Sequence, residues 1–287
     1  MPDMNSIIHP LTVGFILSII RTSVLMDQTN RFSLMLEALT ELVAEEKQTR
    51  PSGPAASLPP LREVIASAAP LPQEALFLGL AEDGLPVLLN LHDPIPGPLL
   101  LTGDQASGKT ALMQTISSAI DLMHSPAEVE YGVITDHPED WQTIQASQNC
   151  AGLYSTKEDE SQDFIESLVA WAHNNKGESQ SVILFIDNLE TAIKLGHKLE
   201  QNIRWLLLRG PSRRVWPIVS LNAGHADQMR SWLGFFRTRL FGHIQDPREA
   251  ETITGVSDVQ LDELIPGSQF TMREGNSWLN FWIPRID

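Results

Sequence analysis

The chain has 287 residues, of which 42% are hydrophobic, one cysteine and a formal net charge of −16. That length allows one large domain with a sizeable core, or one domain with an appendage. The acidity excludes a protein that coats nucleic acid with its whole surface, and the lone Cys150 excludes an internal disulfide or a cysteine metal site, so a reducing, cytoplasmic compartment is the simplest expectation.

The first feature along the chain is LTVGFILSII, residues 11–20, shorter than the roughly 20 residues a transmembrane helix needs. No Lys or Arg precedes it, so it lacks the form of a signal peptide. Residues 7–26 read as a buried or partner-facing helix, with membrane attachment the minority alternative. In RFSLMLEALTELVAEEKQ, residues Phe32, Met35, Leu36, Leu39, Leu42 and Val43 fall on one helix face. A helical N-terminal segment over 1–47, able to bind a partner protein and without a transmembrane span, is expected. The aperiodic run QTRPSGPAASLPP then predicts an exposed connector over 48–60, and a single domain over 61–287.

Within that domain LREVIASA suggests a short helix, and ALFLGLAEDGLPVLLNL reads as two strands turning at Asp83 and Gly84. Short β-rich runs follow at 99–102 (LLLT), 131–135 (YGVIT), 182–187 (VILFID) and 217–222 (PIVSLN), with helical patterns at 109–123, 159–173 and 197–209. SWLNFWIP, with Trp278 and Trp282, reads as a terminal strand. Apolar strands alternating with helices specify an α/β fold with a largely parallel sheet covered on both faces. Ligands in such sheets gather at the carboxyl ends of the strands.

One of those ends carries chemistry. Gly103, Asp104, Gln105, Ala106, Ser107, Gly108, Lys109 and Thr110 satisfy GxxxxGK[ST], the phosphate-binding P-loop. The glycines let backbone N–H groups turn around phosphate oxygens, and the following helix N-terminus adds positive potential. Lys109 is placed to reach the β- and γ-phosphates, and Thr110 to offer a hydroxyl to Mg²⁺. Asp187, ending VILFID, supplies the carboxylate that such a loop needs from a neighbouring strand to hold the metal. The expected ligands are ATP and Mg²⁺, with Thr110 and Asp187 at the metal. The histidines show no pair at metal-ligand spacing, so no zinc is assigned, and Asp136-His137 after YGVIT reads as structural.

With these residues placed, the chain from about Leu61 onward resembles the FtsK/HerA class of P-loop motor ATPases. ALFLGLAEDGLPVLLNL is similar to the segment preceding the loop in that class, PLLLTGDQASGKTALMQTI to its strand and loop, and SVILFIDNLE to its metal-carboxylate strand. PIVSLNAGHADQ, FFRTRLFGHIQDPREAETITG and LIPGSQFTM resemble its later segments, in the same order. The resemblance implies a RecA-like fold, ATP with Mg²⁺, and a homo-oligomeric ring, usually a hexamer, that moves DNA; in type VII secretion relatives the cargo is protein.

The chain departs from that pattern at several positions. Where active relatives have Asp-Glu this chain has Asp187-Asn188, and an amide cannot take a proton from the attacking water as a carboxylate does. Glu190, two residues on, is the candidate substitute. The relatives' γ-phosphate-sensing Thr-Gln is here Leu221-Asn222, giving Asn222 either a shortened sensor role or a strand-end role. Arg239 and Arg248 match the arginines of the late segment, one of which a neighbouring subunit would contribute to the transition state; surface solvation is the competing reading of each.

Residues 194–239 hold nine basic residues against Glu200 and Asp227. This belt is either a DNA-facing or subunit-facing surface or a solvated helix and loop. Arg213, Arg214 and Trp216 within it read either as a cluster that contacts nucleic acid strands or as a strand start. Two functions therefore stand: a Mg²⁺-dependent ATPase ring that moves DNA, or a hydrolysis-poor nucleotide-binding assembly or regulatory subunit, or one acting on protein cargo.

Overall fold

The computed structural model describes residues 58–175, 180–274 and 277–286. The expected N-terminal helices and the connector up to residue 57 lie outside the described residues. The elements in chain order are α1 (Leu61–Ala68), β1 (Ala75–Ala81), β2 (Pro86–Asn90), β3 (Leu99–Gly103), α2 (Lys109–Met123), β4 (Val129–Thr135), a 3-10 segment (Pro138–Ile144), β5 (Cys150–Ser155), α3 (Glu160–Asn174), β6 (Ser181–Asp187), α4 (Leu189–Ala192), α5 (His197–Arg209), β7 (Val215–Asn222), a 3-10 turn (Ala223–His225), α6 (Arg230–Leu233), β8 (Thr238–Phe241), α7 (Pro247–Thr254), β9 (Gln269–Glu274) and β10 (Ser277–Trp282).

The strands form one sheet in the order β2-β1-β10-β9-β8-β3-β7-β6-β4-β5. From β8 to β5 all neighbours are parallel, and from β2 to β8 they are antiparallel. The parallel half explains the apolar runs: β3, β6 and β7 are covered on both faces, so consecutive residues are all buried. Leu99, Leu101, Ile183, Phe185 and Ile218 pack under α2 through Leu112, Met113, Ile116 and Ile120. Leu100, Leu184, Ile186, Val219 and Leu221 face the other way, toward Ile165 and Leu168 of α3 and Leu199, Ile203, Leu206 and Leu207 of α5. Each such side chain contributes about 1.5–3 kcal/mol by leaving water.

The hairpin between β1 and β2 turns where expected. Gly84 has φ +84°, and the Leu85 N–H donates to Asp83 Oδ1 at 3.0 Å. β10 pairs with both β1 and β9, and Trp278 packs edge-on against Phe241 at 5.6 Å between ring centres. The start of α1 is tied to the segment after β10: the Leu61 N–H donates to the Arg285 carbonyl at 2.8 Å.

Two expectations change. Trp216 is fully buried in β7, paired with Ile183 of β6, so the strand reading of that position holds and no basic and aromatic surface cluster forms. The carboxylate strand β6 is not beside the loop strand β3, because β7 lies between them. β5, β8 and β9 were not anticipated as strands: β5 is a half-exposed edge, β8 has four residues, two of them Thr238 and Arg239, and β9 alternates polar with apolar residues, so none shows an apolar run. No helix among the described residues is long and apolar enough to cross a membrane.

Candidate functional site

β3 delivers the phosphate loop to the carboxyl edge of the sheet, and α2 begins at Lys109 itself. The loop's geometry requires its small residues. Gly108 has φ +98°, and a Cβ there would lie 2.7 Å from the Gly267 Cα; a Cβ on Gly103 would run into the Ser107 side chain. Ala106 also sits at positive φ, +62°, in the exposed crown of the loop with Gln105. The loop is clipped from outside. Asp104 donates its N–H to the His243 carbonyl at 2.9 Å and accepts the Gln245 N–H on Oδ2 at 2.8 Å, while the Gly267 N–H donates to the Ser107 carbonyl at 3.0 Å.

Lys109 is buried, and its ammonium folds back to donate to the carbonyls of Gly103 at 3.0 Å and Asp104 at 2.6 Å. Burial holds its pKa below the usual lysine range, opposed by the charges of Glu190, Asp187 and Asp104. Thr110 donates its hydroxyl to Asp187 Oδ2 at 2.9 Å, so the two residues expected at the metal are brought together across 77 positions of sequence. Asp187 is anchored further by Ser220 of β7, whose hydroxyl donates to Oδ1 at 3.0 Å, and by the Trp141 indole N–H at 3.3 Å on Oδ2. Burial pushes its carboxyl up from the ordinary value; the hydrogen bonds from Thr110, Ser220 and Trp141 pull against that, and the charge of Asp136 adds to it.

Asn188 takes φ +91°, a conformation Asn tolerates better than most side chains. Its Oδ1 accepts the Thr191 N–H at 3.2 Å, capping α4, and its Nδ2 donates to Asp136 Oδ2 at 3.3 Å. The side chain is therefore turned to the end of β4. Glu190, on the first turn of α4, is 6% exposed. Its Oε1 accepts the Asn222 backbone N–H and faces His225 Nδ1, both at 2.9 Å, whereas its Oε2 is buried without a hydrogen-bond partner. Among the carboxylates acting on Lys109, Glu190 has the largest influence, which places it within the charge environment of the phosphate loop.

These features fit Mg²⁺ and a nucleotide triphosphate. The hydroxyl of Thr110 and the carboxylate of Asp187 are the oxygen donors a hard cation takes, Lys109 is a buried cation beside a loop built for phosphate, and Glu190 Oε2 is a buried acceptor awaiting a donor.

Solved structures share this fold. EssC (ATPases 2 and 3) from Geobacillus thermodenitrificans has a TM-score of 0.64 at 16% identity, covering 83% of this chain and 48% of that one. EccC (ATPases 2 and 3) from Thermomonospora curvata, in complex with a signal sequence peptide, has 0.63 at 14%, covering 83% and 45%. The pCW3 conjugation coupling protein TcpA with ATPγS has 0.59 at 15%, covering 80% and 70%. The chain has a P-loop ATPase fold. It spans about half the length of the EssC and EccC structures just described. No family model and no curated protein matches the chain.

The remaining site expectations divide. Asn222 lies at the end of β7, level with Gly103 of β3, and its side chain has no hydrogen-bond partner among the described residues. Arg239 is turned inward. Its Nε, Nη1 and Nη2 donate to the carbonyls of Phe236 (3.3 Å), Ile253 (2.6 Å) and Leu233 (2.7 Å), and burial lowers its pKa. An arginine engaged in this way braces β8 against α6 and α7 of its own chain. Arg248 is exposed at the start of α7, a helix capped by Asp246 through the Arg248 N–H at 2.8 Å and by Pro247.

Sequence reasoning passed over Ser220, Trp141 and His225. Ser220 had a signal, a lone polar residue in an apolar strand. Trp141 had none, because it reaches Asp187 from an irregular segment.

Proposed function

We propose that this chain binds ATP with Mg²⁺ at the phosphate loop and hydrolyses it, working as a homo-oligomer. The observation that carries the reading is the buried, unpartnered Oε2 of Glu190 in the charge environment of Lys109. Gly103 to Thr110 hold the phosphates, with Lys109 released from its loop carbonyls to the β- and γ-phosphates. Thr110 and Asp187 hold the metal, which when bound neutralises charge on the phosphates. Glu190 Oε2 orients a water and takes its proton as the water oxygen bonds to the γ-phosphorus. The bond from that phosphorus to the bridging oxygen breaks, ADP leaves with the electron pair, and the proton passes on to solvent. Asn222 donates to the γ-phosphate, and the exposed Arg248 acts on a neighbour's nucleotide.

The solved structures of like fold include a type VII secretion ATPase and a conjugation coupling protein. That supports ATP-driven movement of a polymer, and DNA is the cargo proposed from the sequence resemblance. A specific observation favours protein cargo as the second reading. Of the basic belt, Lys198 pairs with Glu166, Arg204 with Glu200 and Arg230 with Asp227, and Arg239 is held by carbonyls. Lys194, Arg209 and Arg237 are the belt's exposed cations that remain for phosphate contacts.

The test is ATP turnover with and without DNA, beside nucleotide-dependent thermal stabilisation. At a hundredfold excess over Kd, ATP should add about 2.7 kcal/mol of stability. Lys109→Ala should lose that stabilisation, and Glu190→Gln should keep it while losing turnover. A wild-type protein that binds ATP without turning it over under any condition removes the hydrolysis reading. Turnover that DNA leaves unchanged removes the DNA cargo and retains the ATPase.

A further inference from the structure

The geometry around Glu190 points to His225 as the positioning residue for that carboxylate, an inference that rests on the hydrolysis reading above. His225 ends the 3-10 turn that follows β7, and Glu190 stands on the helix that follows β6. The two strands are neighbours in the sheet, so residues 35 positions apart meet at 2.9 Å.

A carboxylate only accepts hydrogen bonds, so His225 Nδ1 carries the proton in this contact. Oε1 is then fixed by two donors from one turn, the Asn222 N–H and the His225 ring. With Oε1 saturated, the carboxylate cannot rotate without breaking a hydrogen bond inside the protein. Oε2 is left as the carboxylate oxygen without a hydrogen-bond partner, and its position is set by the two contacts that hold Oε1. The pair also joins two environments: the Glu190 side chain is 8% exposed and that of His225 is 49% exposed.

The charged groups that act with the ring are Glu190 on α4, in contact with it, and Glu249 on α7, whose carboxyl it lowers. Glu249 lies by the turn, its Oε1 3.4 Å from where a Cβ on Gly224 would sit. Burial raises the Glu249 carboxyl first, then the charges of Asp104, Asp246 and Asp227, while His225 lowers it. His225 thus stands between the proposed base and an acidic patch that borders the phosphate loop. By holding Glu190 it keeps the orphan oxygen from turning toward solvent.

The experiment compares His225→Ala and His225→Phe with His225→Asn in steady-state ATP turnover of the full chain, with melting temperature and nucleotide-dependent stabilisation measured on the same samples. Phe keeps a ring without the donor, and Asn places an amide N–H where Nδ1 was. Loss of the donor should lower kcat about 10- to 100-fold, the scale on which a misplaced catalytic group acts, with KM for ATP and the stabilisation by ATP unchanged. Asn should restore most of the lost kcat. Full kcat in both Ala and Phe variants, alongside an inactive Glu190→Gln, overturns the role of His225 and leaves the hydrolysis reading standing. An equal fall in all three variants that tracks a lower melting temperature also overturns it, as the behaviour of a packing residue. A wild-type chain without turnover, or a Glu190→Gln chain with full turnover, overturns the hydrolysis reading and the role of His225 together.

Discussion

Asn188 Nδ2 donates to Asp136 Oδ2 at 3.3 Å, and this contact explains an amide next to Asp187. The residue needs positive φ, a cap for α4 and a donor toward Asp136, and Asn meets all three. Asn188→Glu would retain the strained φ, lose the donor and set a second carboxylate against Asp136. We expect a loss of about 1–3 kcal/mol in thermal or denaturant unfolding and no gain in ATP turnover. A stable variant with faster turnover would show instead that Asn188 occupies the position of the working base.

Asp187 gives a pH-dependent prediction. Its folded-state pKa is raised, chiefly by burial, above that of the unfolded chain. The stability tied to this group is therefore complete below the unfolded value of about 3.9 and is lost as pH rises through the raised one. At neutral pH the nucleotide-free protein holds a costly buried carboxylate. Asp187→Asn should raise its melting temperature near pH 7, change it little near pH 4, and abolish any Mg²⁺ dependence of stabilisation by ATP. A lower melting temperature at neutral pH would mean that the hydrogen bonds from Thr110, Ser220 and Trp141 outweigh desolvation.

The two late arginines should separate cleanly. Arg239→Ala removes the guanidinium that joins the carbonyls of Phe236, Ile253 and Leu233, at a cost of about 2–4 kcal/mol. Lys should not replace it, since one ammonium cannot span three acceptors as the guanidinium fork does. Arg248→Ala should alter stability by less than about 0.5 kcal/mol, as expected of an exposed side chain. Its effect should appear as reduced turnover confined to the assembled oligomer, read by comparing specific activity across a concentration series with the oligomeric state.

Two loop positions predict opposite responses to a change of one carbon. Ala106 holds φ +62°, where a Cβ costs roughly 1–2 kcal/mol, so Ala106→Gly should be stabilising or neutral once the entropy of glycine is offset. Gly108→Ala combines φ +98° with a Cβ 2.7 Å from the Gly267 Cα. It should destabilise by more than 1 kcal/mol, on the scale of a substitution the backbone cannot accept, and lose stabilisation by ATP. Melting curves with and without Mg-ATP test both.

The extent to which the site was legible follows the range of its interactions. Gly103 to Thr110 are contiguous, and their spacing alone specifies a turn that only small residues can make. Asp187 was legible because a strand buried on both faces reads as an apolar run with a charge at its end. Glu190 could be nominated by proximity to Asp187, but its partners could not: Asn222 and His225 are more than thirty positions away and meet it only because β7 runs beside β6. Arg239 shows the opposite case. Its alignment with a catalytic arginine was visible in sequence, whereas the carbonyls that hold it come from the chain's turns and helix ends, which carry no local signal.

By itself, then, the sequence determined most of the strand and helix succession, the phosphate loop and its lysine, and the residues proposed for the metal, because hydrophobic period and glycine spacing are local properties of a chain. The tertiary structure decided which side chains face that loop. Inserting β7 between β3 and β6 brings Ser220 to Asp187 and the turn after Asn222 to Glu190, turns Asn188 toward β4, and buries Trp216. Strand order is set by the packing of whole layers, and no stretch of residues records it.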